Sequence, residues 1–479
     1  MALSRKPQEI VEGSSNPLLG KHESWGRVPV DEIADILNGY AFKSTKFTRD
    51  KGTPLIRIRD VGKSSTKTFY DGEFDETYLV KDGDLLIGMD GDFRCSIWKG
   101  GEALLNQRVC KISLKSDNYN FKFLSYVLQP YLDAIHAETS AVTVKHLSSR
   151  SVSEIPLPLP PLEQQKRIVA KIEELFSHID AGIKALKKAK QLLKQYRQSV
   201  LKAAVTGELT KDWREANKDK LEPAAQLLER ILKERRQKWE EQQLEQFKVK
   251  EKMPKDDKWK DKYKEPELGA NRFFTEIPEE WAIASVDHAT RDVRYGSSSK
   301  TNEDGKGVPV LRMGNIIDGK LDYSKLKYLP VDHNEFPDLL LDDGDLLFNR
   351  TNSAELVGKT AVYRDTGKQT SLASYLIRVR MLSGIESDFV AFFINSSCGR
   401  NWIKNCVSQN VGQANVNGTK LKALVLPLPS HEEQKEIVKC VEEKIQASDR
   451  LSAELDLQLL KAGKNKQSIL ASAFNGVIN

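Results

Sequence analysis

The feature that most constrains this chain is a segment of about fifty residues that occurs twice without a gap. The first copy begins with Leu157-Pro158-Leu159-Pro160 and the second with Leu426-Pro427-Leu428-Pro429, and each continues as Glu-x-Gln-Lys-x-Ile-Val. The same register holds as far as Gly207 in the first copy and Gly476 in the second. Because loops accumulate insertions, the constant register predicts one long rigid element that is present twice.

Apolar residues in the first copy recur in steps of four and three, a spacing that predicts a coiled-coil helix. Proline at the start of each copy and glycine at its end are typical of helix boundaries. The expected seam residues are Ile168, Ile172, Leu175, Ile179, Leu186 and Leu193 in the first copy, and Ile437, Val441, Ile445, Leu451 and Leu455 in the second. Residues 463–465 interrupt the second seam. Since neither helix can bury such a stripe alone, we expect the two to pack against each other.

The segment before each helix also contains matching pieces. Asp82-Gly83-Asp84-Leu85-Leu86 returns unchanged as Asp343-Gly344-Asp345-Leu346-Leu347, and Trp25 is echoed by Trp281. Between these pieces the halves differ in length, and the local patterns predict short strands, turns and one helical region per half. We therefore predict an α+β fold with two modules on two long helices, related by an internal pseudo-two-fold repeat.

Composition excludes several classes of protein. The five cysteines are scattered and odd in number, which disfavours a disulfide framework or zinc site and favours a reducing cytoplasm. The N-terminus is polar through Lys21 and lacks the apolar core of a signal peptide. The net charge of +6 permits a polyanion-binding face without requiring one.

Between the two halves lies a charged segment, residues 211–269, that contains Trp213, Trp239 and Trp259. We interpret it as an amphipathic helix that begins at Pro223, followed by a flexible tether from Lys248 to Lys264. The alternative is a docking surface for another subunit, because exposed tryptophans are unusual in passive linkers.

With these motifs the chain resembles the specificity (S) subunit of type I restriction-modification enzymes along almost its whole length. The paired Pro-Leu-Pro and Glu-x-Gln-Lys helices carry the resemblance, together with Gly207-Glu208-Leu209-Thr210 and the segment from Gly344 to Asn352. The long charged segment departs from the family pattern.

The resemblance implies two target-recognition domains that each read one half of a split DNA sequence, with the long helices as an antiparallel coiled-coil spacer. The implied boundaries are a first domain at 1–155 with a polar tail at 1–24, a central spacer helix at 156–209, a charged linker at 210–270, a second domain at 271–425 and a C-terminal spacer helix at 426–479. The implied partners are double-stranded DNA, two methyltransferase (M) subunits and restriction/translocation (R) subunits, with no membrane.

The family's S subunit performs no chemistry. S-adenosylmethionine would belong to the methyltransferase partner, which methylates adenine, and ATP and Mg to the restriction partner. The sequence agrees, since it contains neither a phosphate-binding loop of the form G-x-x-x-x-G-K-[ST] nor metal-ligand spacing among its seven histidines.

Arginine suits guanine, and asparagine or glutamine suits adenine, so these residue types are the candidates for base contacts. In the first module the candidates are Arg57, Arg59, Arg94, Asn106, Gln107 and Arg108, and in the second they are Arg312, Asn315, Arg350, Asn352 and Lys359. A structural role competes at each position, because an exposed arginine commonly pairs with aspartate and Asn106-Gln107 could cap a turn.

Two other functions remain open. The same scaffold could serve as an orphan regulatory DNA-binding protein, or as a coiled-coil adaptor whose modules bind peptides. An adaptor would select no duplex sequence.

Overall fold

The computed structural model describes residues 5–138, 146–269, 274, 276–353, 356–410 and 413–478. The chain forms two compact units, one of residues 1–188 with 455–479 and the other of residues 189–454. The division falls within the two long helices, so each helix contributes one part to each unit. No helix of the described segments is long and apolar enough to cross a membrane.

The first unit is built from short strands and a few helices. Its helices are α1 (Pro7–Glu12), α2 (Val30–Ile33), α3 (Phe121–Glu138), α4 (Ser149–Ser153) and the first part of α5 (Leu162–Val205). Its strands are β1 (Gly26–Pro29), β2 (Ala34–Asn38), β3 (Phe47–Thr48), β4 (Thr53–Ile56), β5 (Phe69–Tyr70), β6 (Leu79–Val80), β7 (Leu85–Gly88), β8 (Cys95–Ile97), β9 (Ala103–Leu105), β10 (Val109–Leu114) and β11 (Pro156–Leu159). Strand β7 directly follows the Asp82-Gly83-Asp84 turn, and α3 is the helical region that the sequence predicts for this half.

The second unit has the same kind of architecture. Its helices are the rest of α5, α6 (Lys211–Asn217), α7 (Ala224–Val249), α8 (Val286–Ala289), α9 (Ser387–Asn395), α10 (Ser397–Cys406), α11 (Gly418–Lys422) and the first part of α12 (His431–Phe474). Its strands are β12 (Ala282–Ser285), β13 (Thr290–Tyr295), β14 (Val308–Leu311), β15 (Ile316–Ile317), β16 (Lys320–Leu321), β17 (Lys327–Leu329), β18 (Leu346–Asn349), β19 (Thr351–Asn352), β20 (Thr360–Val362), β21 (Ser371–Leu372), β22 (Leu376–Met381), β23 (Ser408–Asn410), β24 (Gln413–Asn415) and β25 (Val425–Leu428).

The strand orders show the internal repeat directly. One sheet of the first unit has the order β2-β10-β7-β8, and its counterpart in the second unit has the order β13-β22-β18-β20. In each unit the strand that begins the domain pairs antiparallel with the Pro-Leu-Pro strand before the long helix, β1 with β11 and β12 with β25. The predicted α+β repeat is therefore confirmed.

In the first unit the N-terminal part of α5 lies against the C-terminal end of α12. Ile168 and Ile172 of α5 share one apolar core with Phe474 of α12. Farther along the pair, Lys466 donates a hydrogen bond to Asp180 at 2.6 Å.

In the second unit the C-terminal part of α5 lies against the N-terminal part of α12. Val200 of α5 and Ile437 and Val441 of α12 belong to one core, and Arg197 Nε donates to Ser448 Oγ at 2.9 Å. In both units the two helices run in opposite directions, which confirms the antiparallel arrangement that the resemblance implies.

The seam of α12 differs from the predicted one at a single position. Leu451 is 50% exposed, whereas Ser448 is 3% exposed. The prediction of Leu451 as a seam residue is wrong. A helix returns to the same face after three or four residues, so the seam position that follows Ile445 is Ser448, and Leu451 lies on another face. The other predicted seam residues are buried or half-buried. The polar interruption at 463–465 lies on the exposed face of an unbroken helix.

The charged segment is folded onto the second unit, so the prediction of a flexible tether is wrong for its central part. Leu227 and Ile231 of α7 are buried in the core of this unit. Residues Asp257–Lys262 form a 3-10 helix, and Trp259 stacks on Trp239 with ring centroids 5.9 Å apart. Trp259 is buried, and Trp213 and Trp239 are half-buried, so none of the three is the exposed tryptophan on which the docking-surface alternative rests.

Candidate nucleic-acid interface

Each unit places polar side chains at the end of an inner strand of its four-stranded sheet, β7 in the first unit and β18 in the second. In the first unit the amide of Met89 donates to Arg108 O at 2.9 Å, and the amide of Leu147 donates to Met89 O at 2.7 Å. In the second unit Arg350 takes the place of Met89, since its amide donates to Tyr375 O at 3.0 Å and its carbonyl accepts from the amide of Val416 at 2.9 Å. The backbone position is therefore the same in both units.

Strand-end cluster 1 consists of Asp90, Arg108 and His146. The carboxylate of Asp90 lies 3.3 Å from Arg108 Nε and 2.6 Å from His146 Nδ1. The Asp90 side chain is largely buried, whereas Arg108 and His146 are about half exposed. Arg108 Nη1 also lies 3.4 Å from Asp90 Oδ1, so Asp90 holds the guanidinium while the Arg108 side chain stays half exposed, where guanine or phosphate can reach it.

The other candidates of the first unit have partners of their own. Arg59 donates to Thr68 at 3.1 Å, and Arg94 pairs with Asp92 at 3.0 Å. Asn106 is buried and its Oδ1 accepts from the amide of Gln107 at 2.9 Å, which is the turn-capping alternative. Gln107 itself is exposed.

The alternation of Arg57 and Arg59 with Ile56 and Ile58 predicts a strand with both arginines on one face. The structure does not have this strand. Strand β4 ends at Ile56, and Ile58–Asp60 form a 3-10 turn. The reason is local, because Asp60 accepts a hydrogen bond from the amide of Arg57 at 3.0 Å. The guanidinium of Arg57 lies 5.9 Å from the ring centroid of Phe47.

Strand-end cluster 2 consists of Tyr295, Arg350, Tyr375 and Asn415. The guanidinium carbon of Arg350 lies 4.9 Å from the ring centroid of Tyr295. Tyr295 and Tyr375 are both exposed aromatic side chains. Arg350 Nε and Asn415 Oδ1 are buried and have no hydrogen-bond partner among the described residues.

The remaining candidates of the second unit differ in their surroundings. Asn315 is buried, and its Nδ2 donates to Asp322 O at 2.8 Å, so it holds a turn together in the free chain. Arg312 donates to Lys325 O at 3.2 Å, and Lys359 is half-buried. The side chain of Asn352 lies outside the described residues.

Sequence reasoning missed most of these clusters, since Tyr295, Tyr375, Asn415, Asp90 and His146 were not among the candidates. A signal was available for one position. Counting on without a gap from the shared Asp-Gly-Asp-Leu-Leu motif places Arg350 opposite Met89. The other members meet only through strand pairing, which a single sequence does not reveal.

The side chains in these clusters are suited to binding. They supply guanidinium and amide donors, amide acceptors and aromatic faces, which are the groups that contact bases and phosphates. No group of metal-binding side chains occurs within the described parts of the chain. Burial raises the pKa of Cys110 to about 12, so this thiol is protonated and unreactive at neutral pH.

Two matching α+β units, each with a cluster of base-binding side-chain types and each joined to the same pair of long helices, define a duplicated DNA-recognition protein. A family model described as the type I restriction modification DNA specificity domain matches residues 22–191 and again residues 292–460. The chain belongs to this family of type I DNA specificity subunits.

Similar proteins agree with this membership. The chain is 34% identical over 482 residues to the type I restriction enzyme EcoBI specificity subunit of Escherichia coli, covering 99% of this chain and 91% of that one. It is 27% identical to the EcoKI specificity subunit of Escherichia coli K12, covering 95% and 89% of the two chains. A chain from a solved structure of a type I R-M system has the same fold, with a TM-score of 0.62 at 16% identity and coverage of 95% and 99%.

Proposed function

We propose that the chain recognises a bipartite DNA target, with the strand-end cluster of each unit reading one half-site. The single observation that carries this proposal is that both clusters occupy the same backbone position on matching sheets while their side chains differ in kind. A shared scaffold with different side chains is what two reading heads of different specificity require.

The partners follow from the family. Two methyltransferase subunits would bind this chain, carry S-adenosylmethionine and methylate an adenine in each half-site. Restriction and translocation subunits that use ATP and Mg would join them on unmodified DNA. This chain acts as the recognition subunit and contributes no catalytic group.

Phosphate contacts would provide most of the affinity and base contacts the selectivity. Cations outside the clusters, such as Arg59, Arg94 and Lys359, suit the first task, whereas Arg108 and Arg350 lie in the clusters and suit the second. Removing a phosphate contact weakens binding to all sequences, whereas removing a base contact changes the preference at one position.

A selection from random duplexes tests the proposal. The full chain, alone and with its co-expressed methyltransferase subunit, is used to enrich duplexes that are then sequenced. We expect two specified blocks separated by an unspecified gap. Arg108→Ala should relax one block, and its matched control Arg94→Ala should weaken binding evenly. Enrichment of no sequence would contradict the proposal and favour an adaptor.

A further inference from the structure

Among the residues that the structure describes, the guanidinium of Arg350 contacts an aromatic ring and no carboxylate. Its guanidinium carbon lies 4.9 Å from the ring centroid of Tyr295. Its Nη1 reaches Ser374 O only at 3.4 Å, which is a long hydrogen bond. A cation above a tyrosine ring is attracted by the ring and keeps its edge donors free for another acceptor.

Tyr295 is itself fixed at both ends. Its backbone pairs with Ile377 at the end of β13, and its Oη accepts a hydrogen bond from the amide of Gly418 at 2.7 Å. A Cβ atom at Gly418 would lie 3.1 Å from that oxygen, so the glycine permits the close approach. The ring therefore provides a rigid surface for Arg350.

The free cluster also contains unsatisfied polar groups. Arg350 Nε and Asn415 Oδ1 are buried without a hydrogen-bond partner in the described part of the chain. Buried donors and acceptors are normally satisfied, and exceptions call for a specific explanation such as an absent ligand or water. Both groups belong to the same cluster, beside strands β19 and β24, which pair with each other.

We propose that Tyr295 positions Arg350 to select a guanine in the half-site that the second unit reads. The proposal rests on the proposed function. Guanine presents O6 and N7 as neighbouring acceptors in the major groove, and these match the fork of an arginine side chain. Tyr295 acts through Arg350 and is a positioning residue, whereas Arg350 contacts the base.

The first unit has no such pair at this position. Met89 stands where the second unit has Arg350, and Asn38 stands where it has Tyr295. Asn38 Nδ2 donates to Ser149 Oγ at 3.2 Å. This hydrogen bond joins the end of β2 to α4, as the bond between Tyr295 and Gly418 joins the end of β13 to α11, but it involves no aromatic ring. The effect of Tyr295 should therefore be confined to one half-site.

The test is duplex selection and sequencing with the full chain bound to its co-expressed methyltransferase subunit. The variants are Arg350→Lys, Tyr295→Leu and Tyr295→Phe, with Tyr323→Leu as a control that removes an exposed tyrosine elsewhere in the unit. Arg350→Lys should reduce the preference for guanine at one position by about tenfold. Tyr295→Leu should reduce the preference at that same position by roughly threefold or more.

Tyr295→Phe keeps the ring and should retain the preference, and Tyr323→Leu should leave every position unchanged. The melting temperature of each variant is measured in parallel. If Tyr295→Leu does not fold, the result for Arg350→Lys decides the test. If Arg350→Lys leaves all positions unchanged, or Tyr295→Leu weakens all sequences evenly, the inference is overturned. If the unaltered complex selects no sequence, the proposed function fails instead.

Discussion

Arg214 Nη1 donates to the Glu433 carboxylate at 2.6 Å, and both side chains are buried. The other oxygen of Glu433 accepts from Trp281 Nε1 at 2.8 Å. Thr210 donates to Glu433 as well, at 2.7 Å. One carboxylate thus joins the start of the charged segment, the entry of the second domain and the first turn of α12.

Removing either partner of this pair should destabilise the second unit. Arg214→Met or Glu433→Gln leaves an uncompensated buried group, and we expect a loss of about 3–5 kcal/mol in the free energy of unfolding. Gln164 occupies the equivalent place in the first unit and accepts from Trp25. Because a neutral glutamine serves at that place in the first unit, the double variant Arg214→Met with Glu433→Gln should lose less unfolding free energy than the two single variants added together. Urea unfolding of all three variants measures these losses. Additive losses would contradict this account.

The register of the coiled coil predicts that two apolar residues of α12 contribute very differently to the free energy of unfolding. Ile437 is fully buried and Leu451 is half exposed. Ile437→Ala should cost about 2–5 kcal/mol, whereas Leu451→Ala should change stability by less than about 0.5 kcal/mol. Urea unfolding of both variants checks the register, and equal losses would show that it is wrong.

The fold of the charged segment predicts resistance to proteolysis. Trypsin should cleave residues 250–264 slowly despite their many lysines, because Trp259 packs on Trp239 and Phe247. Trp259→Ala should open this segment and raise its cleavage rate by roughly fivefold or more. Met253→Ala, at an exposed position, is the matched control and should have no effect. Rapid cleavage of the unaltered chain would instead indicate a flexible tether.

One histidine should make the second unit less stable at acidic pH. Burial lowers the pKa of His288, and its Nδ1 lies 2.6 Å from Ser285 Oγ and 3.3 Å from the Ser285 amide. Below about pH 6.5 the unfolded chain binds a proton that the folded chain excludes, so stability falls as pH falls. The slope from this residue is at most about 1.4 kcal/mol per unit of pH.

His288→Asn should remove that part of the dependence. Between pH 7.5 and pH 5.5 the free energy of unfolding should decrease more for the unaltered chain than for His288→Asn. A larger decrease in the variant would mean that the sign is wrong.

The long helices and the repeated domains were predictable because their signals are periodic or literally duplicated. The proline entry, the heptad spacing and the final glycine each act locally, and Gly207 and Gly476 do adopt the positive φ of helix ends, at 77° and 73°. Leu451 was misassigned because a seven-residue repeat fixes a face only when its phase is known. Ser448, a small polar residue, gave no sign of burial.

The candidate sites were less predictable because they form between distant strands. Arg108 and Arg350 could be named from residue type alone. Their partners could not, since His146 meets Asp90 only through the bridge between them, and Tyr295 at the end of β13 meets Arg350 at the end of β18 only because β22 lies between and pairs with both strands. The charged segment was misread for a similar reason, because Trp239 and Trp259 bury each other only after the chain folds back.

The most direct test of the account is methylome sequencing of cells that carry this chain and its methyltransferase partner. We expect methylated adenines within a motif of two specified blocks and an unspecified gap. Arg108→Ala should alter one block only, and Arg350→Ala the other block only. A single uninterrupted motif, or one block that responds to both variants, would contradict the claim that each unit reads its own half of the target.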